Sequence, residues 1–400
     1  MREYLYSLAT DKEKGFIAGV IKPLLFILSL AYGLCSRMII FLRRRKLYRL
    51  GCKLISVGNI TLGGTGKTVL VEYIARFLKE KGHKVAILTR GYKRKVTLRL
   101  RPSTSSGLRS GQAKPPFEFS QGRQSHPSTQ LRAGKVSAKR SAASPEGTSY
   151  EEMGDEAYML AEKLSDIPVI VDADRIRAAK RAIQDYSVDT LILDDGFQQW
   201  HIQKDLEIVA IDAQNPFGNK RLIPRGILRE PLGNLSRADI FILTKTNFSP
   251  DKETLKLFLR SLNPAARIFE SRHEPVSFFD FNHPQESIDL AALRGKSVVL
   301  FCGIGDPDSF TALISSLDIN ISTFFKFPDH YNYTAQDIDH ITQAAKEKNV
   351  DTIITTEKDM VRVFAVRASP YTVRFLALRI KLEIKDEQEF HNRLLGLSSR

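Results

Sequence analysis

Runs of apolar residues alternate with amphipathic stretches along most of this chain. The first clear example is 53–78, KLISVGNITLGGTGKTVLVEYIARFL, in which an apolar strand, a glycine-rich turn and an amphipathic helix follow one another. Strands such as IPVIV, DTLILD, LEIVAID and ADIFILT then recur between helical stretches or loops. Near-continuous apolar strands separated by helices predict an α/β fold with a mainly parallel sheet covered on both faces.

The glycine-rich turn predicts a phosphate-binding loop. Its three glycines let the backbone approach an anion, the following helix directs free N–H groups at that anion, Lys67 adds a charge and Thr68 offers a hydroxyl to Mg²⁺. Thr61 stands where the strict G-x-x-x-x-G-K-[ST] pattern has its first glycine. The alternative is an ordinary strand-to-helix turn capped by Thr65. We assign nucleotide phosphates to Thr61, Gly63, Gly64, Thr65, Gly66, Lys67 and Thr68.

A second series of strands and helices begins after residue 270, with KSVVLFCGI, DPDSFTALISSL, STFFKF and TAQDIDHITQAAKEK. A single core stops growing at about 250–300 residues, so a chain of 400 residues is expected to contain two. We predict a P-loop NTPase-like parallel-sheet domain at 51–270, a smaller α/β domain at 271–400, and an active site in the cleft between them.

The N-terminal arm, residues 1–50, is apolar and then basic. Its longest charge-free run, 24–36, has 13 residues, and a spanning helix needs about 20. We therefore expect a membrane-associated helix that lies at the interface, with the basic tract RRRK at 43–46 against anionic head groups. A cleaved signal peptide and a buried core helix are the alternatives.

Residues 101–148 interrupt the α/β pattern. They contain eight Lys or Arg against two Glu and are rich in Ser, Gly, Pro and Gln, which predicts a disordered insertion. The whole chain carries a net charge of +15, a value that suits nucleic acid, an anionic membrane or a phosphorylated substrate. The insertion offers few aromatic residues for stacking bases, so we expect no nucleic-acid partner. Three widely spaced cysteines indicate neither a disulfide framework nor a zinc site.

Acidic residues stand at the end of one predicted element and at the start of another. LILDDG at 191–196 ends an apolar strand with Asp194 and Asp195, the arrangement in which a strand-end acid holds Mg²⁺ directly or through water. GDE at 154–156 opens a helix, where Asp155 is either an N-cap or a base that accepts an alcohol proton. His330 follows a strand in FPDHYNYT; a lone histidine in a turn is more often structural. LTKTN at 243–247 lacks the Asn and Asp of the guanine-reading N-K-x-D motif.

Taken together, GNITLGGTGKT, TRGY, GDE, IPVIVDADR, LDDGFQQW, PRGILREP, LTK, GIGDP, FPDHYNYT and TTEKD resemble the tetraacyldisaccharide 4′-kinase family of lipid A synthesis. The resemblance spans nearly the whole chain outside 101–148. It implies a kinase that uses ATP and Mg²⁺ at the cytoplasmic face of a bacterial inner membrane and phosphorylates the 4′-hydroxyl of an acylated glucosamine disaccharide 1-phosphate. Oligomeric state is not indicated by sequence, and we favour a monomer.

The resemblance also implies roles for individual residues. Asp155 becomes the catalytic base, supported by His330, and Lys67 acts on the transferred phosphate. The metal and its water fall to Thr68, Asp194 and Asp195, with Glu156 as a helper. Gln199 stands where the family commonly has a histidine. The residues implied to meet the anionic sugar-lipid are Tyr92, Arg175, Gln198 and Arg229.

Two other functions fit the residues alone. One is a membrane-associated P-loop NTPase that acts as a switch or maturation factor and hydrolyses its nucleotide. The other is a basic adaptor for membranes or nucleic acid with a degenerate P-loop. Transfer of phosphate to a glycolipid, its release, or neither outcome distinguishes the three.

Overall fold

The computed structural model describes residues 2–91, 98–99, 153–249, 251–283, 286–364 and 373–396 of the chain. The predicted insertion at 101–148 and Tyr92 lie outside the described residues. The described helices are α1 Arg2–Ala9, α2 Phe16–Arg44, α3 Lys67–Glu80, α4 Asp155–Lys163, α5 Arg175–Tyr186, α6 Lys252–Leu262, α7 Pro307–Ser315, α8 Ala335–Glu347, α9 Glu357–Phe364 and α10 Glu387–Leu395.

The strands join in one mixed sheet, and the predicted α/β class is confirmed. Its order is β11-β10-β12-β13-β8-β7-β6-β1-β5-β2-β4-β3, with β9 paired to β8. All pairs between β7 and β4 are parallel. The strands are β1 Lys53–Gly58, β2 Val85–Thr89, β3 Leu98–Arg99, β4 Val169–Val171, β5 Thr190–Asp194, β6 Leu206–Asp212, β7 Ile240–Thr244, β8 Arg267–Asp280, β9 Ser287–Ile288, β10 Ser297–Cys302, β11 Asn320–Lys326, β12 Thr352–Thr356 and β13 Arg374–Ile384.

Strand β8 joins the two halves of this sheet. Its first residues, 267–270, pair in parallel with β7, and its later residues, 271–280, pair antiparallel with β13. The register shifts opposite Pro275, which is the kind of position where a sheet tolerates proline. The boundary that we placed at residue 270 therefore falls inside a strand shared by both halves.

The parallel strands bring their polar ends to one edge of the sheet. Strand β1, which precedes the glycine-rich loop, lies between β5 and β6. Asp194 ends β5, Thr89 ends β2, Asp212 ends β6 and Thr244 ends β7. Because all these strands run in the same direction, their chemistry-bearing residues meet at the carboxyl edge.

Apolar residues cover both faces of the sheet. One cluster packs α3 against β1, β5 and β6 and continues to Leu382, Phe390 and Leu394 from the C-terminal part of the chain. The ring of His391 stacks on Phe77 with centroids 3.7 Å apart. The last described helix, α10, therefore packs against α3, the helix that follows the glycine-rich loop.

The N-terminal helix α2 is longer than its charge-free core. It continues through Lys22 and Arg37 for 29 residues and, by length and composition, is able to cross a membrane. The charge of Lys22 is matched by Asp11, 2.8 Å away. Only 22% of its most apolar window is buried. Its large exposed apolar side chains include Phe16, Ile17, Val20, Leu24, Ile27, Leu30, Leu34, Met38 and Phe41.

One face of α2 contacts the protein body. The hydroxyl of Tyr32 donates to the carbonyl oxygen of Arg229 at 2.8 Å, and Arg221 lies over the ring of Phe26 at 5.0 Å. At Gly33 an added Cβ would stand 2.8 Å from Leu222. Helix α2 is therefore attached to the protein body along one side and leaves most of its apolar side chains exposed.

We expect Gly58→Ala to destabilise the fold because a Cβ there would lie 2.5 Å from the backbone nitrogen of Phe197. Overpacking of this kind costs about 1–3 kcal/mol. Gly51→Ala is the matched control, since nothing lies within 4 Å of its added Cβ. Urea unfolding of both variants tests the expectation, and equal midpoints for the two would contradict it.

Candidate active site

The glycine-rich loop leads directly into the N-terminus of α3. Gly66 caps that helix at φ 75°, a left-handed conformation, with no side-chain capping hydrogen bond. The alternative in which Thr65 caps the helix is therefore wrong. The hydroxyl of Thr65 is buried without a partner among the described residues, and its carbonyl oxygen accepts from Thr244 at 3.2 Å. Lys67 and Thr68 open the helix with free N–H groups, as an anion site requires.

The loop also touches the C-terminal half of the chain. A Cβ on Gly305 would lie 2.9 Å from the backbone nitrogen of Gly64, so the GIGDP segment can approach the loop only with glycine at this place. Gly63 has φ 112°, again a conformation suited to glycine. Thr61 lies at the base of the loop, where it forms a bridge with Leu228. The loop is therefore enclosed by backbone from both halves.

The strand-end carboxylates stand beside Lys67. The Nζ atom of Lys67 is 3.7 Å from Oδ1 of Asp195, and Arg229 donates to both oxygens of Asp195 at 2.8 Å. Burial by itself raises the pKa of Asp195, but the hydrogen bonds from Arg229 and the charge of Lys67 outweigh it and lower that pKa. Asp195 adopts φ 51°, a conformation that a non-glycine residue keeps only when its surroundings hold it.

Asp194 is buried beside Asp195, and its pKa moves in the opposite direction. It accepts a hydrogen bond from Thr89 at 2.9 Å, while burial and the nearby charges of Glu156 and Asp195 raise its pKa to about 6. A buried carboxylate surrounded by other carboxylates fits the place of a divalent cation.

The described residues contain no three His, Cys, Asp or Glu side chains that would hold a metal ion by themselves. Magnesium usually keeps several waters and shares its coordination with substrate phosphates. One or two carboxylates together with a hydroxyl such as that of Thr68 would match the donor set that this ion takes in a nucleotide site.

Asp155 and His330 come together from opposite halves of the chain. Oδ2 of Asp155 is 2.8 Å from Nδ1 of His330. Asp155 is the first residue of α4 rather than its N-cap, a place that Gly154 takes with φ 88°, so the N-cap interpretation is wrong. Burial raises the pKa of Asp155, but the hydrogen bond from His330 and the charges of Lys358 and Arg362 lower it further than burial raises it. His330 has φ 59°.

Two cationic residues, which the sequence alone did not indicate, contact the Asp155–His330 pair. Lys358 lies 3.0 Å from Glu156 and 3.3 Å from Nε2 of His330, and Arg362 donates to Asp155. Both residues lie on α9, directly after strand β12. Their spacing of four places after an apolar strand is the signal that could have identified them.

The residues expected to meet the substrate lie around the carboxylate pair. Arg175 is buried, and burial lowers its pKa to about 10 although Asp194 and Asp195 raise it. Gln198 donates to the carbonyl oxygen of Asn59 and to Glu230, both at 3.1 Å. Arg229 is occupied by Asp195, as described above. Tyr92 stays a prediction outside the described residues.

The first three residues of the LTKTN segment, 243–245, are buried, whereas Asn247 is exposed. Lys245 is 4% exposed and lies 2.5 Å from carboxylate oxygens of both Asp212 and Asp306. It joins the ends of β6 and β7 to the GIGDP segment. Its two ion pairs therefore link the two halves of the chain.

The chain is similar to known proteins of one family. The family model described as tetraacyldisaccharide-1-P 4′-kinase matches residues 21–111 and 132–398. Tetraacyldisaccharide 4′-kinase from Halothermothrix orenii is 33% identical over 90% of this chain and 88% of the relative. The enzyme of the same name from Desulfatibacillum aliphaticivorans is 32% identical over 96% of this chain and 93% of the relative.

Among solved structures, the apo form of LpxK from Aquifex aeolicus in complex with ATP superposes with a TM-score of 0.66. It is 26% identical, and the match covers 94% of this chain and 99% of that one. The family match takes in the glycine-rich loop, the strand-end carboxylates and the Asp155–His330 pair. On these grounds the chain belongs to the tetraacyldisaccharide-1-P 4′-kinase family.

Proposed function

We propose that this protein transfers the γ-phosphate of ATP to the 4′-hydroxyl of an acylated glucosamine disaccharide 1-phosphate. The observation that carries the proposal is the 2.8 Å contact between Asp155 and His330, made beside a loop built for phosphates. Hydrolysis of a nucleotide needs only a positioned water, whereas transfer to an alcohol benefits from a group that accepts the hydroxyl proton.

The phosphate-binding residues supply positioning and charge. The N–H groups at the start of α3 and the ammonium of Lys67 orient the β- and γ-phosphates and offset the charge that develops on them. We propose that Thr68, Asp194 and Asp195 hold Mg²⁺ with Glu156 as a helper; when bound, the ion draws charge from the phosphate oxygens. Arg229 keeps Asp195 in place by its two hydrogen bonds of 2.8 Å.

The acceptor hydroxyl enters between the two halves. The Asp155–His330 pair accepts its proton as the oxygen attacks phosphorus in line with the leaving ADP. Arg175, Gln198 and Arg229 lie on the side of the carboxylate pair and supply positive charge and an amide for an anionic sugar. Tyr92 is proposed for the same surface.

The exposed face of α2 is proposed to rest on the cytoplasmic face of the inner membrane. Beside its C-terminal end lies a cavity of about 510 Å³ lined by Leu42, Arg43, Arg45, Lys46 and His201. Apolar insertion together with a basic patch is sufficient for stable peripheral attachment. The enzyme then takes a lipid-anchored sugar directly from the bilayer surface, as a monomer.

Lys67→Ala is expected to lower kcat by about 10²–10³ because it removes charge aimed at the transferring phosphate. The measurement is transfer of labelled γ-phosphate from ATP into a chloroform-soluble glycolipid. Lys81→Ala, at the exposed far end of the same helix, is the control and should match the wild type. Label recovered only as free phosphate in the wild-type reaction would identify a hydrolase and overturn the kinase.

Asp155→Ala is expected to lower transfer by about 10²–10⁴ by removing half of the proton-accepting pair. ATP binding, followed by equilibrium dialysis, should stay within about threefold, since the phosphates are held by the loop. The exposed Asp166→Ala is the control. A near wild-type rate in Asp155→Ala would remove this residue from the proton transfer.

Arg43→Gln combined with Arg45→Gln is expected to weaken binding to vesicles that contain phosphatidylglycerol. At about 1 kcal/mol per juxtamembrane charge, the partition constant should fall by about 30-fold. Lys346→Gln with Lys348→Gln removes the same charge from an exposed helix end. Equal sedimentation of the two double variants with the vesicles would show that the tract does not face the membrane.

A further inference from the structure

The side chain of Arg362 connects the two halves of the candidate site. It is 2% exposed, and all three guanidinium nitrogens reach acceptors. Nε and Nη2 both donate to Oδ2 of Asp155, the first at 3.0 Å. Nη1 donates to the carbonyl oxygen of Gly303 and to Oδ1 of Asp359, each at 3.0 Å.

Asp359 sets the orientation of Arg362. This carboxylate is fully buried and accepts from the backbone nitrogen of Gly303 and the hydroxyl of Tyr333 at 3.0 Å, and from the hydroxyl of Thr356 at 2.7 Å. Because its own position is fixed from three sides, it holds the guanidinium in one orientation.

A role confined to folding the C-terminal half does not explain these contacts. Asp359 and Gly303 already give Arg362 a counter-charge and a neutral acceptor within that half. The two remaining nitrogens nevertheless reach across to the carboxylate of Asp155, which lies in the other half and contacts His330. The guanidinium is therefore aimed at the pair that does the proposed chemistry.

The contacts of Asp155 determine the tautomer of His330. Oδ1 of Asp155 accepts the backbone N–H of Glu156 at 3.0 Å, while Oδ2 accepts from Arg362 and faces Nδ1 of His330. An ionised carboxylate only accepts hydrogen bonds, so Nδ1 carries the proton and Nε2 of the neutral ring carries the lone pair. Nε2 lies 3.3 Å from Nζ of Lys358.

We propose that Arg362 is a positioning residue for the phosphoryl transfer proposed above. It fixes the carboxylate of Asp155 so that His330 is held in the Nδ1–H tautomer with Nε2 directed to the acceptor hydroxyl. The inference rests on the proposed function and adds Arg362 to the residues that set the geometry of the pair. Carboxylate and imidazole divide their roles in the same way in serine hydrolases.

The hydroxyl proton moves to Nε2 of His330, and the hydroxyl oxygen forms a bond to the γ-phosphorus. The bond between that phosphorus and the bridging oxygen breaks, and its electron pair leaves with ADP. The hydroxyl takes the place of Lys358 at Nε2, and Lys358 keeps its ion pairs with Glu156 and Asp329.

Two substitutions test Arg362 by kinetics. Arg362→Met keeps the volume and removes the charge, whereas Arg362→Lys keeps the charge on a single nitrogen that cannot hold Asp155 and Asp359 together. We expect kcat to fall about 100-fold and about 10-fold respectively, with the KM for ATP within about threefold. Arg374→Met, which breaks an ion pair with Asp280 in the same half, is the control and should keep wild-type kcat.

Nitrogen NMR of the histidine rings tests the tautomer without turnover. In wild-type protein labelled at histidine nitrogens, the signals of His330, assigned with His330→Gln, should show a protonated Nδ1 and an unprotonated Nε2. Arg362→Lys should give a mixture of both tautomers. A rise in the proportion of the Nε2–H form is expected again in Arg362→Met.

Wild-type kcat in both Arg362 variants, or a wild-type ring protonated at Nε2 alone, would overturn the proposal. If Arg362→Met does not fold, Arg362→Lys decides by the same two measurements. A wild-type enzyme that phosphorylates no glycolipid would refute the proposed function, whereas the ring tautomer in the wild type and in Arg362→Lys still decides whether Arg362 positions the pair.

Discussion

The carboxylate of Asp155 is the point on which the two halves of the molecule converge. Asp155 is the first residue of α4 in the first half, and its partners His330 and Arg362 come from the second half. A buried charge that loses its partner costs about 3–5 kcal/mol, so the halves are held strongly in the arrangement that assembles the site. The Asp155–His330 contact therefore forms only when both halves are in place.

The continuous sheet holds the two halves in a fixed arrangement. Strand β8 pairs with β7 on one side and β13 on the other, and α10 packs on α3. Lys245 adds a buried ion-pair link between the ends of β6 and β7 and Asp306. Several independent contacts thus set the distance between the phosphate loop and the residues that follow β11 and β12, and a site that works by positioning needs such rigidity.

The N-terminal helix is connected to the same network. Tyr32 bonds the carbonyl oxygen of Arg229, and the side chain of Arg229 holds Asp195 beside Lys67. Hydrogen bonds and one ion pair therefore connect α2 to Lys67 at the start of α3. The helix proposed to meet the membrane and the loop proposed to hold the nucleotide phosphates are therefore held in a fixed arrangement.

The sequence by itself determined the α/β class, the glycine-rich loop, the acids that end β5 and the apolar arm, because each is a local pattern of a few neighbouring residues. It did not determine strand β8, where Pro275 and alternating charges hide a strand whose pairing comes from both halves, nor the length of α2, where Asp11 neutralises Lys22. The family resemblance implied that His330 supports Asp155, but only the tertiary structure showed that contact and added Arg362 to it, because the contacts join residues 175 and 207 positions apart. Local periodicity carries no information about such distances; the order and direction of the strands do.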